Sequence, residues 1–281
     1  MAFERVSGNR VGILLPVLNE AANVEPLCAR IAAVLGTRAY TICFVDDGSS
    51  DGTVELIQRL ARNGPDRIHL IRRRKMMRGS QRGSALMTAL QWTLSRNDTT
   101  SIIEMDGDLS HRPEELPRGL QIVDSGEADV AIASKYRPGS SVINRPAGRR
   151  AVSFVCNRAV RFLLDRRISD YSNGYRFYTR RAGLAIAGSQ IRYGSPIFLS
   201  EVMAIWLHDG FRIAEFDSTY VGRHEGLSKL RPLDLAKAAI GICEITWRYH
   251  TGRFGVLAVH EEPVPTAERD AATNGAAVPS R

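Results

Sequence analysis

Within its first seventy residues the chain changes hydrophobic period again and again. Residues 11–18, VGILLPVL, form a short apolar run without helical spacing, the pattern of a buried strand. Residues 21–35 then place Val24, Leu27, Cys28, Ile31, Val34 and Leu35 at helical spacing, and Gly36 closes the helix. Residues 40–45 read as a second strand, 54–61 as a second helix and 67–71 as a third strand. Parallel neighbours need a crossover, and a helix is the usual one, so this alternation prescribes a parallel sheet covered on both faces. The fold class is therefore α/β, with a Rossmann-like, mostly parallel sheet flanked by helices. Such sheets gather ligand-binding groups in the loops beyond the carboxyl ends of their strands.

Those loops are rich in charge. Asn19-Glu20 follows the first strand, and Asp46-Asp47-Gly48-Ser49-Ser50-Asp51-Gly52-Thr53 follows the second, with Asp51 or Thr53 as a helix cap. The third runs into Arg72-Arg73-Arg74-Lys75 and on through Gly79, Arg82 and Gly83 before a helix over 84–94. A basic, glycine-containing loop ahead of a helix suits phosphate, and it equally suits a solvated face. A further apolar run, Ile102-Ile103-Glu104-Met105, delivers Asp106 and Asp108 with Gly107 between them. Two carboxylates one residue apart can hold a hard divalent cation, Mg²⁺ or Mn²⁺, and the cation can hold a diphosphate. A lone Asp-x-Asp is also an ordinary polar loop, so the pair needs its neighbours to acquire meaning. A helix over 114–125 and a strand over 129–134 follow, ending in Ser134, Lys135, Tyr136 and Arg137.

The second half has a different character. Residues 140–150 read as a polar loop. Residues 149–164 read as a helix whose apolar stripe is Val152, Val155, Cys156, Ala159, Val160 and Leu163, with Arg150, Arg158, Arg161, Arg166 and Arg167 around it. A turn and strand span 170–179, a helix 197–208 surrounds Glu201, and an outer strand spans 211–220. The helix over 233–249, carrying Trp247, reads either as a packing helix or as one lying in a membrane interface. Residues 1–10 read as a flexible start, and 256–281 as a disordered tail rich in Ala, Pro and Glu.

The net charge of +8 favours an anionic partner. Nucleic acid fits poorly, because the acidic loops repel a phosphate backbone and no aromatic residues interleave the basic run. The four cysteines contain no CxxC pair, which argues against zinc. There is no secretory pattern at the N-terminus and no apolar run of membrane-spanning length. The expectation is a cytoplasmic protein without a transmembrane helix, with room for peripheral contact on the cytoplasmic membrane face.

Taken in order, PVLNE, VDDGSSDGT, MDGDLSHRPEELP and GRHEGLSKL resemble the motifs of family 2 glycosyltransferases with the GT-A fold. The likeness is to the polyprenyl- and dolichyl-phosphate mannosyltransferases in particular, and it runs from about residue 11 to about residue 245. It implies a single domain, 11–245, with a nucleotide-sugar half over 11–138 and an acceptor half over 139–245. By that resemblance Pro16, Leu18 and Glu20 line the nucleoside pocket and Asn19 shapes its turn. Asp46 contacts base or ribose, Asp47 caps the loop, and Lys75 and Lys135 join the donor site. Asp106 and Asp108 hold Mg²⁺ or Mn²⁺ across Gly107, with Ser110 at the place of a third ligand. Arg223 and Lys229 clamp phosphate and, with the two aspartates, carry the catalysis. Ser134, Arg137, Arg149 and Ser228 face the acceptor phosphate.

Several positions depart from the family pattern. The loop over 75–85 is more basic and differently spaced, Leu18 stands where an aromatic residue is common, and Ser172-Asn173-Gly174-Tyr175-Arg176 replaces a Ser-Gly-Phe-Arg segment. The resemblance implies inverting transfer of a hexose from a nucleotide sugar to a polyprenyl phosphate. It leans to GDP-mannose and leaves a UDP-sugar open. The alternative keeps the fold and sends the sugar to a soluble natural-product or peptide acceptor.

Overall fold

The structure, a computed structural model, describes residues 8–73, 82–195, 197–222 and 232–254, without the side chains of Arg149 and residues 232–236. The expected flexible start and disordered tail fall largely outside these residues. The first half runs β1 (Arg10–Val17), α1 (Ala21–Leu35), β2 (Tyr40–Asp46), α2 (Thr53–Asn63), β3 (Ile68–Arg72), α3 (Arg82–Leu94), β4 (Thr99–Glu104), α4 (Leu116–Asp124) and β5 (Val130–Ser134). The remainder runs β6 (Ser141–Ile143), α5 (Ala147–Leu163), β7 (Arg176–Thr179), α6 (Arg180–Ala187), α7 (Phe198–His208), β8 (Ile213–Asp217), β9 (Thr219–Val221) and α8 (Pro232–Thr251).

Seven strands form one sheet in the order β3-β2-β1-β4-β7-β5-β8. All pair in parallel except β7, which lies antiparallel between β4 and β5. The period-2 alternation of β1 divides the core. Ile13 and Leu15 join one apolar layer with Val24, Leu27 and Ile31 of α1, while Leu14 joins the other with Ala85 of α3 and Trp206 of α7. Both faces are covered, so the strands are apolar throughout, as a parallel sheet requires. The helical spacing read in residues 21–35 is the face that packs: Val24, Leu27, Ile31 and Leu35 are buried.

Three expectations change. The loop expected over 140–150 contains β6, which pairs with β9 in a separate two-stranded sheet. Helix α3 starts at Arg82 rather than at residue 84. The apolar stripe of α5 does not pack as expected: Val152 and Val155 are exposed, with Phe154 and Phe162, and the buried positions are Asn157, Val160 and Leu164 at its end. Helix α8 divides its apolar side chains, burying Ile245 and exposing Ile240 and Trp247.

Candidate nucleotide-sugar site

Strands β1, β2 and β4 end together, and their loops are tied to one another by hydrogen bonds. Asn19 adopts a left-handed conformation, with φ of 56°. Its N–H donates to Ser49 Oγ at 2.8 Å and its Oδ1 accepts from the Ser50 N–H at 2.9 Å. The Glu20 N–H donates to Thr53 Oγ1 at 2.9 Å, and Glu20 Oε2 accepts from Asn23 at 2.6 Å. Asp51 accepts from the Ala21 N–H and the Thr53 N–H, so it serves the starts of α1 and α2 together, while the N-cap position of α2 is Gly52.

The structure gives the capping of the loop after β2 to Asp46 rather than to Asp47. Asp46 is buried, and its carboxylate accepts from the N–H groups of Gly48 and Ser49 at 3.0–3.2 Å. Asp46 is therefore the residue that caps the loop, because it is the last residue of a fully buried strand and its charge must be satisfied locally. Asp47, half-buried, takes a bidentate pair with Arg73 at 2.7 and 2.9 Å. Arg73 also donates to Ser84 Oγ at 2.6 Å, which joins the basic run to the first turn of α3.

Beyond β4 the chain makes a tight turn. Gly107 is a glycine for want of space: a Cβ there would lie 2.8 Å from Val17 Cγ1. Leu109 takes the left-handed conformation, φ 61°, which costs a non-glycine residue energy and is held by its surroundings. The Ser110 N–H donates to Asp108 Oδ1 at 3.0 Å, and the Val221 N–H donates to the Ser110 carbonyl at 3.1 Å. The turn is also fastened by His111. The Asp106 N–H donates to His111 Nδ1 at 3.0 Å, so the ring proton sits on Nε2, facing Asn173 Oδ1 at 3.2 Å. His111 stacks on Tyr175 with centroids 4.9 Å apart. Burial pushes its pKa below the ordinary value, against the pull of Asp106 and Asp108. With both ring nitrogens engaged, His111 is a strut for the loop rather than a ligand.

Cations surround the two carboxylates. Arg82 Nε donates to Asp106 Oδ1 at 2.7 Å. Lys135 Nζ and the Arg145 guanidinium lie 5.3 and 5.7 Å from the centroid of the Tyr220 ring, which meets His111 edge-on. Burial lowers the Lys135 pKa, with Asp170 and Asp106 opposing. Burial, then Asp106 and Asp108, raise that of Tyr220.

Among the expected site residues, Pro16, Leu18, Asn19, Glu20, Asp46, Asp47, Asp106, Gly107, Asp108 and Ser110 all lie at this edge of the sheet. Leu18 is exposed. Ser134 does not face an acceptor: it is fully buried at the end of β5, with its hydroxyl bonded to Ser169 Oγ at 2.7 Å and to the Tyr136 N–H. Arg137 is exposed, and Arg149 lies in the first turns of α5. Lys75, Arg223, Ser228 and Lys229 fall outside the described residues. Sequence reasoning missed Arg82, Arg145 and Asn173. Arg82 was visible as the last arginine of the basic run, and Asn173 as the insertion that separates Ser172 from Gly174.

The donor set suits a hard divalent cation in one manner. Among the described residues no group of three His, Cys, Asp or Glu side chains is placed to hold a metal ion. Asp106 and Asp108 are two carboxylate ligands on one turn, which fits Mg²⁺ or Mn²⁺ that takes its other oxygens from phosphate and water.

Residues 12–183 match the model of the family described as Glycosyl transferase family 2. The chain is 34% identical over 235 residues to the polyprenol monophosphomannose synthase of Mycolicibacterium smegmatis, covering 84% of this chain and 86% of that one. It is 29% identical over 233 residues to the undecaprenyl-phosphate mannosyltransferase of Micrococcus luteus, covering 83% and 92%. Among solved structures it resembles the glucosyl-3-phosphoglycerate synthase of Mycobacterium tuberculosis, in complex with Mn²⁺, UDP and glucosyl-3-phosphoglycerate. There the TM-score is 0.58 at 18% identity, over 86% of this chain and 80% of that one.

Proposed function

The chain belongs to glycosyltransferase family 2, and from that premise we propose that it moves mannose from GDP-mannose onto a polyprenyl phosphate, with Mg²⁺ or Mn²⁺. The supporting observation is the juxtaposition at the sheet edge. Asp106 and Asp108 stand beside Lys135 and Arg145, and relatives named for polyprenyl-phosphate mannosyl transfer share most of the chain. A divalent cation held by Asp106 and Asp108 would offset the charge that develops on the leaving diphosphate. The loops after β1 and β2, bonded to each other before any ligand arrives, offer a preformed seat for the nucleoside. Lys135 and Arg145, which flank the Tyr220 ring, would supply positive charge to an acceptor phosphate. A phosphate monoester is already ionised at pH 7, so its oxygen needs orientation rather than a general base. In-line attack of that oxygen on the anomeric carbon breaks the bond to the diphosphate and inverts the centre.

The acceptor's hydrocarbon requires access from a bilayer, and the exposed side chains of α5 favour it. Val155 and Phe162 are 65% and 67% exposed on a helix that also carries Arg158 and Arg161. No described helix is long and apolar enough to cross a membrane. A peripheral helix with an apolar face and arginines on its flanks is the arrangement that settles at a headgroup boundary. The test is transfer of radiolabelled sugar from GDP-mannose, and separately from UDP-sugars, in Mn²⁺. The acceptors are a polyprenyl phosphate in vesicles and a soluble phosphorylated alcohol. Label that follows the lipid into organic solvent, from GDP-mannose only, is the expected result. Label retained in water on the soluble acceptor would replace the lipid reading.

A further inference from the structure

We propose that Arg82 is a positioning residue that competes with the divalent cation for Asp106. In the metal-free chain its guanidinium holds the carboxylate, and cation binding draws Asp106 away from it. The inference rests on the reading that Asp106 and Asp108 hold the cation. It begins with how firmly Arg82 is placed. It is the first residue of α3, and the next residue, Gly83, donates its N–H to the Gly194 carbonyl at 3.0 Å. A Cβ on Gly83 would lie 2.6 Å from the Phe198 ring, so the helix start is pressed directly against α7. The arginine therefore springs from a fixed point.

Its guanidinium sits in a place made for it. Nε donates to Asp106 Oδ1 at 2.7 Å, and one terminal nitrogen lies 3.4 Å from the Gly174 carbonyl. A Cβ at residue 174 would come within 2.1 Å of that nitrogen, so a side chain there would push the guanidinium from this position. The other terminal nitrogen is buried and has no hydrogen-bond partner among the described residues. A buried guanidinium with an unspent donor is incompletely satisfied where it stands, and native proteins seldom leave such a group without a use. The pair thus has a cation on an anchored backbone, a close approach that a glycine allows, and one of the two candidate metal carboxylates as its partner. Two cations cannot share that carboxylate without repulsion, and only the arginine is tethered.

The experiment titrates Mn²⁺ alone into the full chain, without nucleotide, and follows free Mn²⁺ by electron paramagnetic resonance. Arg82→Leu is expected to bind Mn²⁺ about tenfold more tightly, the order of effect of one unit charge on a divalent ion at about 5 Å in a water-like dielectric. Gly174→Ala, which leaves the arginine in the sequence but fills its seat, moves the affinity the same way. Arg82→Lys, which keeps the charge, stays near the parent value. Arg82→Gln is read by the same criterion if the leucine variant does not fold, as judged by its circular dichroism. Unchanged or weaker binding in the charge-free variants would overturn the competition. The underlying site reading is tested separately by Asp108→Ala. Retention of parent Mn²⁺ affinity in that variant places the cation elsewhere, whereas its loss there with no change at Arg82 defeats only the present inference.

Discussion

Two regions of the molecule handle charge differently. At the candidate site four carboxylates sit where strands give way to loops, each with a local partner: Asp46 its own turn, Asp47 Arg73, Asp106 Arg82, Asp108 the Ser110 N–H. Between α7 and α8 a charge pair is sunk into the core. Glu201 of α7 is fully buried, accepts from the N–H groups of Arg192 and Tyr193, and pairs with the buried Arg248 of α8 at 2.5 Å. Meanwhile the apolar side chains of α5 face outward. The first region answers its charges at the surface with local partners. The second puts its ions inside and its hydrocarbon outside, the distribution expected where a greasy partner completes the surface.

If the loop-end carboxylates are functional and the Glu201–Arg248 pair is architectural, substitutions should separate cleanly. Asp108→Asn is expected to cut kcat by about 10²–10³, the scale of one electrostatic contact to the transition state, with an unchanged melting temperature. Loss of fold instead of rate would erase the distinction. Arg248→Met should do the converse, costing about 3–5 kcal/mol in urea unfolding because Glu201 is left buried and unpaired. Adding Glu201→Gln should recover part of that loss, since the two residues touch.

The outward hydrocarbon gives a smaller effect. Val155→Asp with Phe162→Asp should weaken binding to anionic vesicles by about tenfold or more, from the burial each side chain forgoes. Nucleotide affinity and melting temperature should not move. A sedimentation assay that finds equal partition for parent and variant would leave α5 without a bilayer role.

The smallest effect lies at the far edge of the first half. His69 of β3 stacks on Trp92 with centroids 3.9 Å apart, and burial followed by Arg96 lowers its pKa below the ordinary 6.5. The unfolded chain therefore takes up this proton first. The contribution of His69 is present above pH 6.5 and is lost as pH falls through the lowered value. The decline in melting temperature between neutral and mildly acidic pH should be shallower in His69→Phe.

The fold was legible because its signal is local. Alternating short apolar runs and helical periods require a parallel sheet, and the strands and helices of the first half fall where that alternation puts them. The residues of the site were legible only where a loop ends a strand. Which aspartate caps and which pairs was not, because Asp46 and Asp47 are adjacent and the choice depends on which one the pleat turns inward. The part played by Arg82 depends on Gly174, ninety-two positions away, and no spacing rule spans that interval. The burial of Ser134 was hidden for the same reason: its partner Ser169 approaches only in three dimensions. In α5 the apolar spacing was real, and what the sequence withheld was the side of the helix that meets the protein.

The antiparallel strand β7 joins β4 to β5, and among the described residues its four residues are the only strand pairing between the two sides of the sheet. They are reached only after β1 through β5 have been synthesised. A nascent chain can therefore assemble the first half early, but β5 has no partner in the main sheet until residues 176–179 arrive. For that interval Val130–Ser134, an all-apolar strand but for its last residue, has two open edges. Such an edge is where an unfinished chain pairs wrongly, so the order of synthesis leaves β5 open to mispairing in this window.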